Sequence, residues 1–400
     1  MKIHTILILA GGDGDRFYPL EHKMRFTFNG KTVLQHIVEG VSSYADKIIV
    51  VVNSANESGI KTDLSNYSVQ FAVQAKDGGG MADAILAAEK YITDDILVLN
   101  ANDLFDFSTI PQLVEQTKKE GSPVGIVAKH VNEYFPGGYV VFKDEKVVGL
   151  LEKPGEKNTP SSYVRLGIDY HPHGPLFVEE LKKISPSDDQ NEKAITSIIG
   201  KNPATCLRYD GDWATLKYSW HVLSMQEYFF NHYLQKSIDP SATIHKTTVV
   251  EGGVFIGKNV KIGAFCKIMG PCYIADNVII GDHSLIRGST IEHNTLVGSG
   301  CEVARSYLGS EVMLHRNYVG DSILSADTSM GAGAVTANYR FDGKTVKTPI
   351  KGVMTDTKMG KLGLISGRAV RIGVNASTYP GVKLSSETKI VPGEVVTKDK

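Results

Sequence analysis

Ile256, Ile262, Ile268, Ile274, Ile280 and Ile286 stand six residues apart without a slip. An α-helix returns to the same face every 3.6 residues and a strand every two, so neither can keep a six-residue column on one side. A chain that coils through short flat runs can, because each run contributes one inward isoleucine and successive turns stack. This hexapeptide period predicts a β-helix. Gly257, Gly263 and Gly281 directly follow three of the isoleucines, and two later stretches, Val319-Gly320 to Gly331 and Val370 to Val391, fit the same coil. From about Ala337 to Ser366 the period is lost, which predicts an arm leaving the coil. Cys266 and Cys272, also six apart, are expected at equivalent positions on one flank. Together with Cys206 and Cys301 they show no CxxC spacing, and all four read as reduced, packed thiols rather than disulfide or zinc ligands.

The first half has another rhythm. Ile3 to Leu9, Ile48 to Val52 and Ile96 to Leu99 are continuous apolar runs, as strands covered on both faces require. Met81 to Ile92, between two of them, has helical apolar spacing and several alanines. Such alternation predicts a mostly parallel, doubly wound sheet that binds ligands beyond the carboxyl ends of its strands. We expect this α/β domain over residues 1–234, closed by an aromatic-rich helical stretch from Leu216 to Leu234, and the coil over 235–400, with Ser237 to Pro240 as linker. The first strand empties into Leu9-Ala10-Gly11-Gly12-Asp13-Gly14-Asp15-Arg16. Glycines there let backbone N–H groups approach a phosphate chain, and Arg16 adds a fixed cation. A plain tight turn between strand and helix explains the same residues equally well.

Lys and Arg number 43 against 44 Asp and Glu. A nearly neutral chain has no electrostatic reason to bind nucleic acid or an anionic membrane, so small anions must be held by local groups. No run approaches the roughly 20 apolar residues that span a bilayer, and the apolar start is too short for a signal sequence. A cytoplasmic protein is expected.

Taken together, the motifs of both halves resemble the bifunctional sugar-1-phosphate nucleotidylyltransferase/acetyltransferases, which include the bacterial glucosamine-1-phosphate enzyme and archaeal relatives. Gly11 to Lys31 is similar to that family's LAGGxGTRM…PK…GKP opening, with Arg16 and Lys23 at its spacing of seven, and Val33-Leu34-Gln35-His36 follows. Gly80-Met81-Ala82-Asp83-Ala84 stands where the family has GTADA, with Gln74 upstream; Asn102-Asp103 takes the GD position. Gly138, then Glu152-Lys153-Pro154, resemble the sugar-contacting glycine and EKP; Trp213 and Trp220 resemble the segment that ends the domain. In the coil, His315 to Asp321 is similar to H-x-x-Y-x-G-D, and Gly331 to Tyr339 to GAGTxTxNY, with Lys344 six beyond Asn338. The stretch from Gly373-Val374-Asn375 to Tyr379-Pro380-Gly381 looks closest to archaeal members.

The resemblance implies a Rossmann-like nucleotidyltransferase domain followed by a left-handed parallel β-helix, forming homotrimers with acetyl sites between subunits. It implies that Ala10, Gly11, Gly12, Gln74 and Gly80 bind nucleotide (UTP or another NTP). Arg16 would meet its β/γ-phosphates, Lys23 would bridge the α-phosphate, and Asp103 would hold Mg²⁺. Gly138 and Glu152 would contact a sugar-1-phosphate. In the coil, His315 would be the general base for transfer from acetyl-CoA, near Ala332. Arg287, with Glu302 as acidic partner, and Tyr318, Asn338 and Lys344 would hold the hexosamine phosphate.

Six residues depart from that pattern in the first pocket. Asp15 replaces a loop threonine, and a carboxylate about 4 Å from a phosphate repels it by about 4 kcal/mol at an effective dielectric near 20. His22 replaces a proline, Met81 a threonine, Asn102 a glycine and Arg165 an asparagine, and Thr215 stands where a second metal ligand is expected. In the coil, Ala304 or Arg305 stands near an expected lysine, and Ser329 replaces an asparagine. The expectation is therefore acetyl transfer plus a nucleotidyl, in the first instance uridylyl, transfer. The alternatives are an acetyltransferase whose first half has degenerated, or a non-catalytic sensor of sugar nucleotides.

Overall fold

The strand β1 (Ile3–Leu9) is hydrogen-bonded on both sides, to β2 (Ala45–Val52) and β4 (Ile96–Asn100), both parallel to it. That central place explains why its residues are nearly all apolar and buried. The structure, a computed structural model, describes residues 2–12, 14–75, 80–187, 189–200 and 202–400. With β3 (Gln70–Val73), β5 (Gly125–His130), β6 (Gly138–Lys143), β7 (Lys146–Glu152), β8 (Tyr163–His171) and β9 (Thr205–Arg208), these strands form one nine-stranded sheet. Its order is β7-β6-β8-β4-β1-β2-β3, with β5 and β9 branching from β8. The sheet is more mixed than the alternating pattern predicted, because β8 runs antiparallel to β4, β5 and β6, and β7 runs antiparallel to β6.

Helices α1 (Val33–Val41), α2 (Glu57–Asp63), α3 (Gly80–Ala87), α4 (Thr109–Glu120), α5 (Gly174–Lys183) and α6 (Gln190–Ile199) accompany the sheet. A capping box starts α1: Gln35 N–H donates to Thr32 Oγ1 (3.2 Å) and Thr32 N–H to Gln35 Oε1 (2.8 Å). The helix expected from Met81 to Ile92 stops at Ala87 and continues as a 3₁₀ turn over Glu89–Tyr91.

From Ser237 onward the chain winds through three parallel sheets of eight strands each, as the expected left-handed β-helix requires. The isoleucines at six-residue spacing fall on the three faces in rotation, so direct stacking joins every third one: Ile256 to Ile274, Ile262 to Ile280, Ile268 to Ile286. The columns continue as Ile291, Val297 and Val303, where the spacing first slips by one residue. All of these side chains are buried in one core. Cys266 does not share a flank with Cys272: it precedes the strand Lys267–Met269, whereas Cys272 opens the strand Cys272–Ile274 on the next face. All four cysteines are free thiols. The predicted arm is an antiparallel hairpin, Lys347–Ile350 with Val353–Asp356, inserted between strands Ser329–Met330 and Arg371–Ile372 that stack directly.

By packing, the chain divides into Met1–Asp13 with Thr32–Ala214, and Gly14–Lys31 with Thr215–Lys400. These units are not the sequential halves 1–234 and 235–400. Helix α7 (His221–His232), assigned to the first half on sequence grounds, packs with the coil, where Gln226 Nε2 donates to Gly288 O (3.2 Å). Gly14–Lys31 does so too, through Thr27 and Phe28 against Tyr307. Among the described residues, no helix is long and apolar enough to cross a membrane.

Candidate functional site

In the α/β unit, β1 ends in a turn whose backbone oxygens are fixed by two asparagines. Asn56 Nδ2 donates to Ala10 O (2.8 Å) and Asn53 Nδ2 to Gly11 O (3.1 Å). A Cβ on Gly11 would lie 2.4 Å from Oε1 of the buried Gln74, so a side chain there would have to displace that amide. Gly12 is exposed, and Asp13 lies outside the described residues. Gly80 takes a positive φ of 77° at the start of α3.

Asp103 is buried, and its carboxylate accepts hydrogen bonds from Asn100 Nδ2 (3.3 Å) and Trp213 Nε1 (3.3 Å). Asn100 is given room by Gly167, where a Cβ would fall 1.9 Å from Asn100 Nδ2. Gly167 lies where the β8–β5 register shifts, between Arg165 and Asp169. Gly138 and Glu152 face each other across β6 and β7, and a Cβ on Gly138 would stand 3.2 Å from Glu152 Oε2.

Beneath that pair lies Arg165. Its side chain is 4% exposed; Nη1 donates to Asp169 Oδ2 (2.8 Å) and Nη2 to Glu192 Oε1 (3.0 Å). The Asn191 amide, with its oxygen turned inward, accepts from both terminal nitrogens (3.0 and 3.2 Å). Nη2 also lies 3.7 Å from the sulfur of Met81. Burial pushes Asp169 up to about 6, against the pull of the guanidinium beside it, and Glu192 adds to the rise. Two residues on, burial pushes His171 down to about 3, with Arg165 adding to the effect. Neither ring nitrogen of His171 has a hydrogen-bond partner among the described residues, and the ring stacks on Phe177 at 3.7 Å.

Arg16, Lys23 and the departures Asp15 and His22 belong to the other unit. Arg16 sits in the 3₁₀ turn Asp15–Phe17, entered by Gly14 at φ 74°. Lys23 opens the 3₁₀ turn Lys23–Arg25 behind His22, whose φ is 51°. Proline is locked near −65°, so the backbone itself excludes the family's proline at that position.

On the coil, Arg287, Glu302 and Tyr318 come from successive turns of one face, Glu302 pairing directly with Tyr318. Arg287 Nη2 donates to Glu302 Oε1 (2.6 Å). Asn338 Nδ2 donates to Tyr318 Oη (3.2 Å) and to Asp321. Arg305 does not stand as a spare cation in place of the expected lysine: its Nε and Nη2 both donate to the Asp321 carboxylate (2.7 Å each). Ala304 is fully buried. His315 is exposed at the corner after Met313–Leu314, Ala332 is exposed, and its carbonyl accepts from Asn375 N–H (3.0 Å). Lys344 is exposed on the arm. The side chains of His315 and Lys344 join no hydrogen bond or ion pair among the described residues, so the structure ties Tyr318 to Asn338 but leaves these two reaching outward.

Residues 5–214 match the family described as "Nucleotidyl transferase", and residues 234–324 match "GMPPB C-terminal domain". The bifunctional protein GlmU of Methanococcus vannielii is 31% identical, across 98% of this chain and 95% of its own. GlmU of Methanococcus maripaludis strain C7 is 32% identical, across 98% and 94%. The bifunctional sugar-1-phosphate nucleotidylyltransferase/acetyltransferase of Sulfurisphaera tokodaii is 30% identical, across 98% and 97%. The chain belongs to this bifunctional family. Its relatives are nucleotidylyltransferase/acetyltransferase enzymes that align with 98% of this chain.

Several residues of the bifunctional protein's first unit were not singled out in the sequence: Asn100, Gly167, Asp169, Asn191 and Glu192. One signal was available. Arg165, Asp169 and His171 are titratable residues at odd positions of an otherwise apolar strand, a pattern that burial tolerates only with partners.

Proposed function

We propose that this enzyme acetylates a hexosamine-1-phosphate with acetyl-CoA and then transfers a nucleotidyl group, in the first instance uridylyl, to the sugar-1-phosphate. The observation that supports this most is that relatives named for both activities align with 98% of the chain. In the first reaction the amine nitrogen attacks the thioester carbonyl, His315 accepts the amine proton, and the thiolate of CoA leaves. An exposed imidazole suits that task, because it can accept a proton and pass it on to solvent. Arg287, paired with Glu302, and Lys344 would offer cations for the sugar phosphate, with Tyr318 and Asn338 as further partners, and Ala332 would contact the acyl donor.

In the second reaction a phosphate oxygen of the sugar attacks the α-phosphorus and pyrophosphate leaves, so positioning and charge do most of the work. Ala10, Gly11, Gly12, Gln74 and Gly80 would receive the nucleotide, Arg16 the β/γ-phosphates and Lys23 the α-phosphate. Glu152, beside Gly138, would accept hydrogen bonds from sugar hydroxyls. Mg²⁺ asks for only one or two carboxylates beside phosphate and water oxygens, and Asp103 fits as that carboxylate. When bound, the ion would neutralise charge developing on the phosphates.

Arg165 redirects the sugar end of this pocket. Its terminal nitrogens are taken by Asp169, Glu192 and Asn191. It therefore cannot offer a sugar what an asparagine amide would, and we infer a changed sugar preference. Apolar side chains left exposed on the arm, Phe341, Val353 and Met354, support assembly of the coil into a homotrimer. Substrates of this class, NTP and acetyl-CoA, are cytoplasmic.

The test is thiol release from acetyl-CoA with glucosamine-1-phosphate, followed by pyrophosphate release from UTP with Mg²⁺ across a panel of sugar phosphates. His315→Ala should lower acetyl transfer by about 10²-fold or more while leaving pyrophosphate release intact. Unchanged thiol release in that variant removes His315 from the role of base. Absence of pyrophosphate release with every sugar leaves an acetyltransferase alone.

A further inference from the structure

Asp15 is the departure least suited to a triphosphate, and the coil supplies its answer. The segment Gly14–Lys31 is held on the coil at several points. Tyr307 Oη donates to Thr27 O (3.0 Å), Phe28 stacks on Phe229 at 4.8 Å, and Tyr18 Oη lies 2.6 Å from Ser385 Oγ. Next to Asp15 stands the tip of the arm: Lys351 Nζ is 2.7 Å from Asp15 Oδ2. The tip is a two-residue hairpin turn, Lys351 at φ 49° and Gly352 at φ 81°, closed by the pairing of Ile350 with Val353. Its base is pinned by the buried Lys383, which donates to Pro349 O. Lys351 is therefore presented by a braced element.

We propose that Lys351 is a positioning residue for the nucleotidyl reaction: it neutralises Asp15, so that the neighbouring Arg16 is left free to receive the triphosphate. This rests on the assignment of Arg16 to the β/γ-phosphates made above. Asp15 is held below the usual carboxylate range by its hydrogen bond to Lys351 and by that residue's charge, with Arg16 contributing less. Without Lys351, the carboxylate has Arg16 as its adjacent cation and a bound triphosphate as its adjacent anion. Both interactions oppose nucleotide binding. The arm of the acetyltransferase coil thus takes part in the chemistry of the other activity.

The experiment measures the Kd of UTP with Mg²⁺ by titration calorimetry on the full-length protein, at low and at high salt. Lys351→Ala should weaken binding by about two- to fivefold at low ionic strength, as befits an exposed pair, and the difference should fade as salt screens it. Acetyl transfer should be unchanged, which verifies the fold. Asp15→Asn in the Lys351→Ala background should restore the affinity, which loss of a merely structural contact would not allow. Equal affinity of Lys351→Ala and the unaltered protein at low salt overturns the proposal, as does a loss that persists in the double variant. Arg16→Ala separates the two levels. If it leaves UTP affinity unchanged, or if the unaltered protein binds no UTP, the assignment of Arg16 fails and the proposal falls with it. If Arg16→Ala weakens binding while Lys351→Ala does not, only the role of Lys351 fails.

Discussion

Arg165 and Arg305 both stand where the family resemblance places another residue, and the structure treats them in opposite ways. Arg165 is 4% exposed, shared between two carboxylates that are themselves 1% and 7% exposed. Arg305 is 40% exposed and forks onto the single carboxylate of Asp321. The first closes an internal charge cluster. The second has become a brace between neighbouring turns, beside a site whose outward-reaching groups remain free to act. A buried cluster ties the shape of its pocket to stability, whereas a half-exposed brace does not.

Breaking the buried member should have the largest effect. Arg165→Met leaves Asp169 and Glu192 buried without their cation and should cost about 3–5 kcal/mol. The measurement is the urea transition followed by the helical signal, since six of the seven α-helices among the described residues lie in the α/β unit. Replacing Asp169 and Glu192 by apolar residues as well should recover most of that loss; failure to recover would mean that the cluster is more than self-compensating charge.

The second effect is a pH dependence. Since burial holds His171 down at about 3 against an ordinary 6.5, the unfolded chain binds its proton first as pH falls. The stability this group contributes is complete above pH 6.5 and is lost towards pH 3, at about 1.4 kcal/mol per unit. Asp169, raised to about 6, acts in the opposite sense: its contribution falls as pH rises from 3.8 to 6. His171→Phe keeps the stack on Phe177 and should leave the opposite dependence of Asp169 uncompensated, so that stability lost on acidification between 6.5 and 4 shrinks by about 1.4 kcal/mol per unit. An unaltered slope would show that His171 is not buried as a neutral ring.

Arg305→Lys should do least, about 1 kcal/mol or less in thermal stability, with less than a threefold change in KM for the hexosamine phosphate. A loss of acetyl transfer approaching that of His315→Ala would place Arg305 on the substrate and dissolve the contrast with Arg165.

What the sequence made legible follows the same division between regular and irregular. The coil was readable because each turn repeats one physical demand, an inward apolar residue on each face, until the slip at Ile291. The turn after β1 was readable as composition, since its glycines follow directly on a continuous apolar run. The charge cluster beneath Gly138 and Glu152 was not readable, because Glu192 reaches Arg165 from a helix 27 residues away and Asn100 finds room against Gly167, at a register shift. The departures were visible as letters; their meaning was not. His22 reads as a lost proline, yet its left-handed backbone shows a different local path.

The contacts that seat Gly14–Lys31 have a consequence for the order in which the molecule is completed. Thr27 finds Tyr307 across 280 positions of chain, and Tyr18 finds Ser385 across 367. During synthesis the coil can grow turn upon turn, each new strand templated on the one before. The segment bearing Arg16 and Lys23 has no Ser385 to meet until the 367 positions that separate Tyr18 from it have been made. A piece synthesised long before its partners must wait for them before it is seated, and it bears the two cations proposed for the nucleotide.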